Sequence, residues 1–164
     1  IDGAKEEISL SIWHNELHVL RQALEHAVKR GIKVYIFSFE EIELEGAVLF
    51  SYGIVDAARL FPYRRMTLIV DNIQCVNGES GGEEDIYTYT RNHAIVSLAI
   101  DEIVLNIFWY KYIEKQGLLH QGITSKEFLQ AIAALAGELG INEDMTKNFM
   151  VYDFQRRYEE NEEC

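Results

Sequence analysis

Residues 64–78, RRMTLIVDNIQCVNG, are the stretch around which the chain is organised. Six residues from Thr67 to Val76 are Thr, Leu, Ile or Val, which favour strands, and Asp71-Asn72 between them is typical of a tight turn. The stretch therefore predicts two strands joined by a hairpin, with Arg64 and Arg65 at the start of the first.

The segment before this hairpin predicts a βαβ unit. Residues 7–13 alternate polar and apolar side chains, as a strand does, and Asn15 is a possible cap for a helix that ends at Gly31. Residues 32–38 are β-branched and aromatic, which indicates a second strand. A right-handed βαβ unit implies a parallel sheet. Residues 39–62 are expected to form an excursion with a short strand or helix before the central strand.

The segment after the hairpin predicts one further strand and then helices. An acidic loop over residues 79–85 precedes a strand over 86–90, and Asn92 is expected to cap a helix from His93 to Gln116. Because this helix is apolar around most of its circumference, it should lie in the core or along a subunit interface. A capping box at residues 124–127 starts a helix that ends at Gly140, and Asn142 starts another, which together form a C-terminal helical hairpin.

These elements predict an α/β fold with a mixed or parallel sheet flanked by helices. We expect a domain over residues 1–118 and a helical extension over residues 119–164. The formal net charge of −12 disfavours contact with nucleic acid or an anionic membrane. Two cysteines, Cys75 and Cys164, have no disulfide or metal-ligand spacing, so we expect a reducing cytoplasm, no cofactor and no metal. The longest apolar run is expected to be too interrupted for a membrane span, and a start without methionine suggests a piece of a longer protein.

Candidate ligand-binding residues follow the first two strands. In an open parallel sheet, ligands bind outside the carboxyl ends of the strands, where the sequence places Trp13, His14, Ser38 and Glu40. Trp13 can stack on a sugar ring or belong to the core. His14 is a general base in principle, but it has no serine, cysteine or second histidine at an interpretable spacing, which disfavours catalysis.

A second group of candidates surrounds the hairpin and the last strand. Arg64 or Arg65 offers a fork for a carboxylate, phosphate or sugar hydroxyl, or makes a structural ion pair. Asp71 is a turn former or a ligand contact. Arg91 and Asn92 precede the amino terminus of a helix, which favours an anion or hydroxyl, although Asn92 is equally explained as an ordinary N-cap.

Several segments of the chain resemble the effector domain of TrmB-family transcriptional regulators over roughly Gly3 to Lys115. They are AKEEISLSIW, AVKRGIKVYIFSF, RRMTLIVDNIQCVNGE, and YTYTRNHAIV leading into NIFWYKYIEK. The resemblance implies a phospholipase D-like domain that senses a ligand, a sugar in archaeal members, and controls a winged helix-turn-helix. We expect two departures from that pattern: the winged helix is absent from this sequence, and residues 125–160 take the place of a C-terminal β-domain.

The phospholipase D pattern itself is His-x-Lys followed four residues later by Asp. With Asp71 as the aspartate, Arg64 takes the histidine position and Met66 the lysine position. An arginine cannot attack phosphorus, and a thioether carries no charge to stabilise a phosphate. The resemblance thus implies a scaffold without catalytic residues.

The function expected from this resemblance is a non-enzymatic, ligand-sensing and dimerising domain that binds a sugar or small anionic effector. It would contact DNA only through the absent winged helix and would not contact a membrane. Aromatic side chains on the long helix are the candidates for a homodimer interface: Phe108, Trp109 and Tyr112. Two alternatives stay open at this point, a purely structural dimerisation module and a phosphodiesterase with an altered motif.

Overall fold

The computed structural model describes residues 1–61, 64–81 and 84–140. Six strands form one sheet: β1 (Glu7–Ser11), β2 (Lys33–Ser38), β3 (Val48–Ser51), β4 (Arg64–Val70), β5 (Gln74–Ser80) and β6 (Ile86–Thr90). Three α-helices are α1 (His14–Lys29), α2 (His93–Lys115) and α3 (Ser125–Glu138), and a short 3₁₀ turn covers Ala57–Arg59.

The sheet has the order β3-β2-β1-β4-β5-β6, with two parallel and three antiparallel strand pairs. β1, β2 and β3 run parallel, which confirms the predicted βαβ unit, and the excursion over residues 39–62 supplies β3. β4 pairs with β1 antiparallel. The β4–β5 and β5–β6 pairs are also antiparallel, because their short connections leave no room for a crossover helix. The predicted α/β fold is therefore confirmed, and of the two kinds of sheet expected, mixed or parallel, the sheet is mixed.

The predicted hairpin is confirmed between β4 and β5. Val70 pairs with Gln74, so residues 71–73 form the connection. Asp71 and Asn72 have φ angles of 52° and 55°, a left-handed conformation that Asp and Asn adopt more readily than other side chains with a Cβ. The Asp-Asn pair therefore fixes both the place and the tightness of the turn.

Helices cover both faces of the sheet. α1 packs on one face through Leu17, Leu24 and Ala27, which join a buried cluster with the side chains of Leu10 and Leu68. α2 packs on the other face, where its buried side chains meet those of β4 and β5: Ile69, Cys75, Val96, Ala99 and Ile103. Because side chains alternate along β4, they pack into two separate core layers, one on each face of the sheet.

α3 closes one end of the molecule. Its buried side chains share a cluster with residues from the β1 and β2 ends and the 3₁₀ region, including Trp13, Phe37, Leu60, Phe128 and Ile132. The predicted helix after Asn142, which would complete the hairpin, lies outside the described residues. The division of the chain at residue 118 stays a prediction.

Two of the three described helices begin at the N-cap residues that the sequence predicted. Asn92 accepts hydrogen bonds from the N–H groups of Ala94 and Ile95, and Thr124 forms the predicted capping box with Glu127. α1 begins one residue before Asn15, with Trp13 as its N-cap, because the Glu40 carboxylate accepts the His14 backbone N–H at 2.8 Å. The Glu40 side chain, from the loop after β2, therefore caps the start of α1, which is the role predicted for Asn15.

α2 buries one face only. Of its 23 residues, Val96, Ala99, Ile103 and Ile113 are buried, whereas Leu98, Leu105 and Phe108 are 68%, 66% and 73% exposed. Within the described ranges, α2 is the one helix long and apolar enough to cross a membrane by length and composition, so the sequence expectation that no run is long enough does not hold. Its inner face lies against the sheet, and its outer face is exposed, so of the two places predicted from the sequence the core holds one face only.

Candidate functional site

A cavity of about 160 Å³ lies where β1 and β2 end and β4 begins. We call it the strand-end cavity. Its lining comes from all three strands, the loops that follow them and the middle of α2: Ser11, Ile12, Trp13, Ser38, Phe39, Phe61, Arg65, Glu102 and Asn106. The carboxyl ends of β1 and β2 meet here because the strands are parallel, as the sequence predicted.

Aromatic side chains form one wall of the strand-end cavity. The rings of Trp13 and Phe61 meet edge to face with centroids 5.1 Å apart, and the rings of Phe39 and Phe61 lie 4.3 Å apart. The Trp13 indole N–H donates to the Arg65 carbonyl at 2.9 Å, which fixes the ring. Trp13 is 4% exposed, so it belongs to the core and also forms a rigid wall of the cavity, while stacking on a sugar ring stays a prediction.

Polar groups of both charges face this wall. Arg65 lines the cavity from β4, and Glu102 and Asn106, four residues apart on α2, line it from the other side. The Thr67 hydroxyl lies 3.1 Å from Glu102 Oε2 and 2.9 Å from Asn77 Oδ1. Since one hydroxyl proton serves one acceptor at a time, Glu102 keeps spare capacity to accept a hydrogen bond from a ligand.

Ser38, a predicted site residue, is 1% exposed at the cavity. Its hydroxyl accepts the Glu40 backbone N–H at 3.1 Å. Glu40 in turn accepts the backbone N–H of His14, so its carboxylate is held at the start of α1. The His14 side chain is exposed and does not line the cavity. Glu40 and His14 thus join the two loops that carry Ser38 and Trp13.

The two arginines at the start of β4 point to opposite faces of the sheet. The Arg64 guanidinium Nε lies 3.0 Å from Glu16 Oε1 on α1, in the structural ion pair that the sequence left open. Burial tends to raise the pKa of Glu16, but hydrogen bonds from Ser80 and Arg64 outweigh it and lower that pKa. Arg65 is on the α2 side and lines the cavity.

The same alternation decides which positions of the overlaid motif face the strand-end cavity. Arg64 and Met66, the expected histidine and lysine positions, face α1, and Met66 belongs to the core on that side. Arg65 and Thr67 face the cavity side instead, because side chains along a strand alternate with a period of two. No histidine lies on either face of β4, so the strand supplies no imidazole.

The remaining candidates lie at the other end of the sheet. β6 runs parallel to β4, so Arg91 and Asn92 follow it at the edge where the Asp71 turn lies, away from Ser38. Asp71 accepts backbone N–H groups from Lys5, Glu6 and Glu7. Asn92 caps α2, and Arg91 is exposed. The structure therefore brings Trp13 and Ser38 together but not Asp71, Arg91 or Asn92.

Sequence reasoning missed the contribution of α2 to the cavity. Glu102 and Asn106 were not predicted, because the residues that a helix contributes to a cavity depend on where the helix crosses the sheet. A signal was present, since the two polar residues are spaced by one helical turn in a largely apolar helix. The aromatic candidates on this helix divide: Phe108 is exposed, whereas Trp109 and Tyr112 are partly buried and stacked, with centroids 5.6 Å apart.

These features define a class of protein, a mixed α/β domain with a polar and aromatic cavity at the ends of its strands. The chain belongs to the TrmB family of transcriptional regulators: residues 1–111 match the family described as "Transcriptional regulator TrmB, EBD N-terminal subdomain". The curated proteins contain no significant match.

A solved structure to which the chain is similar is described as "Structure of TrmBL2, an archaeal chromatin protein, shows a novel mode of DNA binding". The two sequences are 17% identical, the TM-score is 0.49, and the similarity covers 67% of this chain and 45% of the TrmBL2 chain.

Proposed function

We propose that this chain is the phospholipase D-like effector domain of a cytoplasmic TrmB-family regulator, that it binds a small sugar in the strand-end cavity, and that it acts without catalysis. The observation that supports this proposal is the meeting of an aromatic wall with Arg65, Glu102 and Asn106 around one cavity. Aromatic faces suit the apolar side of a sugar ring, and convergent polar groups fix its hydroxyls.

The charges around the cavity favour a neutral ligand over an anion. Arg65 donates hydrogen bonds only, and an ionised Glu102 accepts only. A hydroxyl both donates and accepts, so one polyhydroxy ring satisfies the two residues together. A phosphate or carboxylate would pair with Arg65 but be repelled by Glu102. The volume of about 160 Å³ is below the range of drug-sized pockets, which points to a single ring.

A thermal-shift titration tests this proposal with matched arginine variants. Single-ring sugars should raise the melting temperature with saturation, more than sugar phosphates or inorganic anions at equal ionic strength. Arg65→Ala should abolish the shift, and Arg91→Ala, which removes an exposed arginine at the opposite end of the sheet, should preserve it. An equal loss in both variants, or a response to anions alone, would contradict the proposal.

The absence of catalysis is proposed on the chemistry of the cavity lining. No histidine or lysine is among the described residues that line it. A phosphodiesterase of this kind needs a nucleophile that can exist unprotonated, which an arginine does not provide. We expect no hydrolysis of a chromogenic phosphodiester. Turnover that disappears in Arg65→Ala would show that the alternative, an enzyme with an altered motif, is right.

We further propose that the protein forms a homodimer through the outer face of α2. Side chains there follow a heptad spacing of four, three, four, three and four residues, and we call them the outer seam: Ala94, Leu98, Asp101, Leu105, Phe108 and Tyr112. Such spacing keeps one stripe facing a partner helix. Three large apolar side chains of the seam, Leu98, Leu105 and Phe108, are 66–73% exposed and form a contiguous apolar stripe, which is typical of a surface that contacts another protein.

The outer seam is self-complementary when a second copy packs antiparallel. Ala94 then faces Tyr112 of the other copy, Leu98 faces Phe108, and Asp101 faces Leu105. Small and large side chains alternate across the seam, and a two-fold axis relates the helices, as in most homodimers. In a parallel pair, Asp101 would face its own copy, and two like charges would repel each other. The antiparallel arrangement avoids that contact.

Sedimentation equilibrium separates this dimer from a monomer. Phe108→Asp should shift the chain to monomer, because a charge would enter the apolar seam. Val19→Asp is the matched control, since Val19 is 78% exposed on α1, away from the seam. Asp101→Leu should tighten the dimer. A monomeric wild type, or a dimer that survives Phe108→Asp, would leave the ligand-binding proposal standing and remove this one.

A further inference from the structure

A second depression, which we call the acidic groove, lies beyond the edge strand β3. It has a volume of about 530 Å³ and is formed by the loop before β3, the end of β3, the last turns of α2 and residues 119–122. It shares no lining residue with the strand-end cavity. Three carboxylates line it, those of Glu41, Glu43 and Glu114. The volume is in the range of small-molecule sites.

In the acidic loop before β3, buried apolar residues alternate with glutamates, and this alternation directs the carboxylates to the groove. Ile42 and Leu44 are buried at 5% and 4% exposure, so Glu41 and Glu43, which alternate with them, are held on the outer side. Neither carboxylate forms a hydrogen bond or ion pair with the described residues. The sequence predicted solvated glutamates here. Glu41 and Glu43 are both exposed, and their two buried neighbours place them together at one wall of the groove.

Glu114 differs from the other two carboxylates because its charge is already matched. Lys111 Nζ lies 2.8 Å from Glu114 Oε2, and the Tyr110 hydroxyl donates to Glu114 Oε1 at 3.1 Å. The Lys111 ammonium also lies 5.5 Å from the Tyr110 ring centroid. The rim of the groove therefore already holds one ammonium between a carboxylate and an aromatic ring, while Glu41 and Glu43 remain unmatched.

Tyr52 is an independent sign that the groove receives a ligand. Only 3% of Tyr52 is exposed, and its ring packs against Phe39, Tyr110 and Phe128, yet it lines the groove. Its hydroxyl has no hydrogen-bond partner among the described residues. Burial, followed by the nearby Tyr110, raises the pKa of Tyr52, so the phenol is neutral and can accept a hydrogen bond. Because the rest of the Tyr52 side chain is buried, this unpartnered hydroxyl is the polar atom that it presents to the groove.

We propose that the acidic groove binds a small organic cation, a primary ammonium on a short apolar stem. Glu41 and Glu43 would attract the ammonium and accept its N–H groups, and the Tyr52 hydroxyl would accept another. The stem would lie against Ile42 and Leu119. A neutral alcohol of the same length lacks the charge that the glutamates require.

Calorimetric titration of the full chain with n-butylammonium chloride tests this inference. Butylammonium should bind saturably, whereas 1-butanol and sodium chloride at equal ionic strength should not. The double variant Glu41→Gln and Glu43→Gln should weaken binding by about tenfold or more. Tyr52→Phe, which keeps the ring and removes only the hydroxyl, should weaken it by about threefold to tenfold.

A charge-matched control separates a site from a general effect of net charge. Glu79→Gln with Glu84→Gln removes the same two charges near β5 and β6, at the other side of the sheet, and should leave butylammonium binding unchanged. Equal weakening in both double variants would overturn the site. The same conclusion would follow if butylammonium failed to bind or if 1-butanol bound equally well. None of these outcomes bears on sugar binding in the strand-end cavity.

Discussion

Substitutions of Asp71 separate the charge, the hydrogen bonds and the backbone conformation that hold the β4–β5 turn to β1. Asp71 Oδ1 accepts the N–H groups of Glu6 at 2.8 Å and Glu7 at 3.1 Å, and Oδ2 accepts that of Lys5 at 3.0 Å. The residue also has a φ of 52°. Asp71→Asn removes the charge, Asp71→Gly removes the side chain, and Asp71→Ala additionally strains the backbone.

The magnitudes follow from those contacts. Hydrogen bonds to a charged group contribute about 1.5–3 kcal/mol, and solvent around this exposed turn reduces that, so Asp71→Gly should cost about 1–2 kcal/mol. Asp71→Ala should cost about 1 kcal/mol more, because alanine disfavours the left-handed conformation that glycine adopts freely. Asp71→Asn keeps an acceptor oxygen and tolerates this conformation, so it should cost about 1 kcal/mol or less.

The pH dependence of stability isolates the charge. Slight burial tends to raise the pKa of Asp71, but the N–H groups of Glu6, Glu7 and Lys5 outweigh it and hold the pKa below its ordinary value of 3.8. A depressed folded-state pKa means that the ionised group stabilises the fold above pH 3.8 and loses that effect as the pH falls through the folded-state value. The advantage of wild type over Asp71→Asn should therefore shrink only in acid.

Urea unfolding of the four proteins at one concentration, from neutral pH into acid, measures all three effects. Two results would refute the reasoning. Equal stability of Asp71→Ala and Asp71→Gly would show that the turn conformation is not limiting. A difference between wild type and Asp71→Asn that stays constant down to the acid limit of folding would show that the carboxylate charge plays no part.

Three further substitutions test the supports of the fold. A Cβ on Gly78 would overlap the backbone of Ile86 and Tyr87, so Gly78→Ala should cost about 1–3 kcal/mol and expose the amides of β6 to hydrogen exchange. Arg64→Met leaves Glu16, whose side chain is 10% exposed, with only Ser80 as a partner and should cost about 1–3 kcal/mol in urea unfolding. Thr124→Ala removes the capping box of α3 and should cost about 1 kcal/mol, with a loss of helical circular dichroism.

Short sequence motifs predicted the turns and helix starts, whereas contacts between distant segments determine which residues line the strand-end cavity. The Asp71-Asn72 turn, the Asn92 cap and the Thr124 capping box act within a few residues, so the sequence predicts them directly. Strand direction does not follow locally, because a sheet neighbour is set by the connection and the layers above it, and Arg91 thus lies far from Ser38. Likewise, whether Arg64 or Arg65 faces the cavity depends on which helix covers which face of β4.

α2 connects the proposed sugar site to the proposed dimer. Glu102 and Asn106 line the strand-end cavity, and Leu105 and Phe108 lie on the outer face of the same rigid helix. A sugar that binds one dimer arrangement better than another would shift the population by its difference in affinity, and dimerisation would change sugar affinity by the same factor. Phe108→Asp should therefore alter sugar affinity without touching the cavity. Asn106→Ala should abolish the effect of sugar on the dimer dissociation constant and leave the ligand-free dimer intact. If sugar affinity in Phe108→Asp equals that of the wild-type dimer, the two sites are independent and α2 transmits nothing between them.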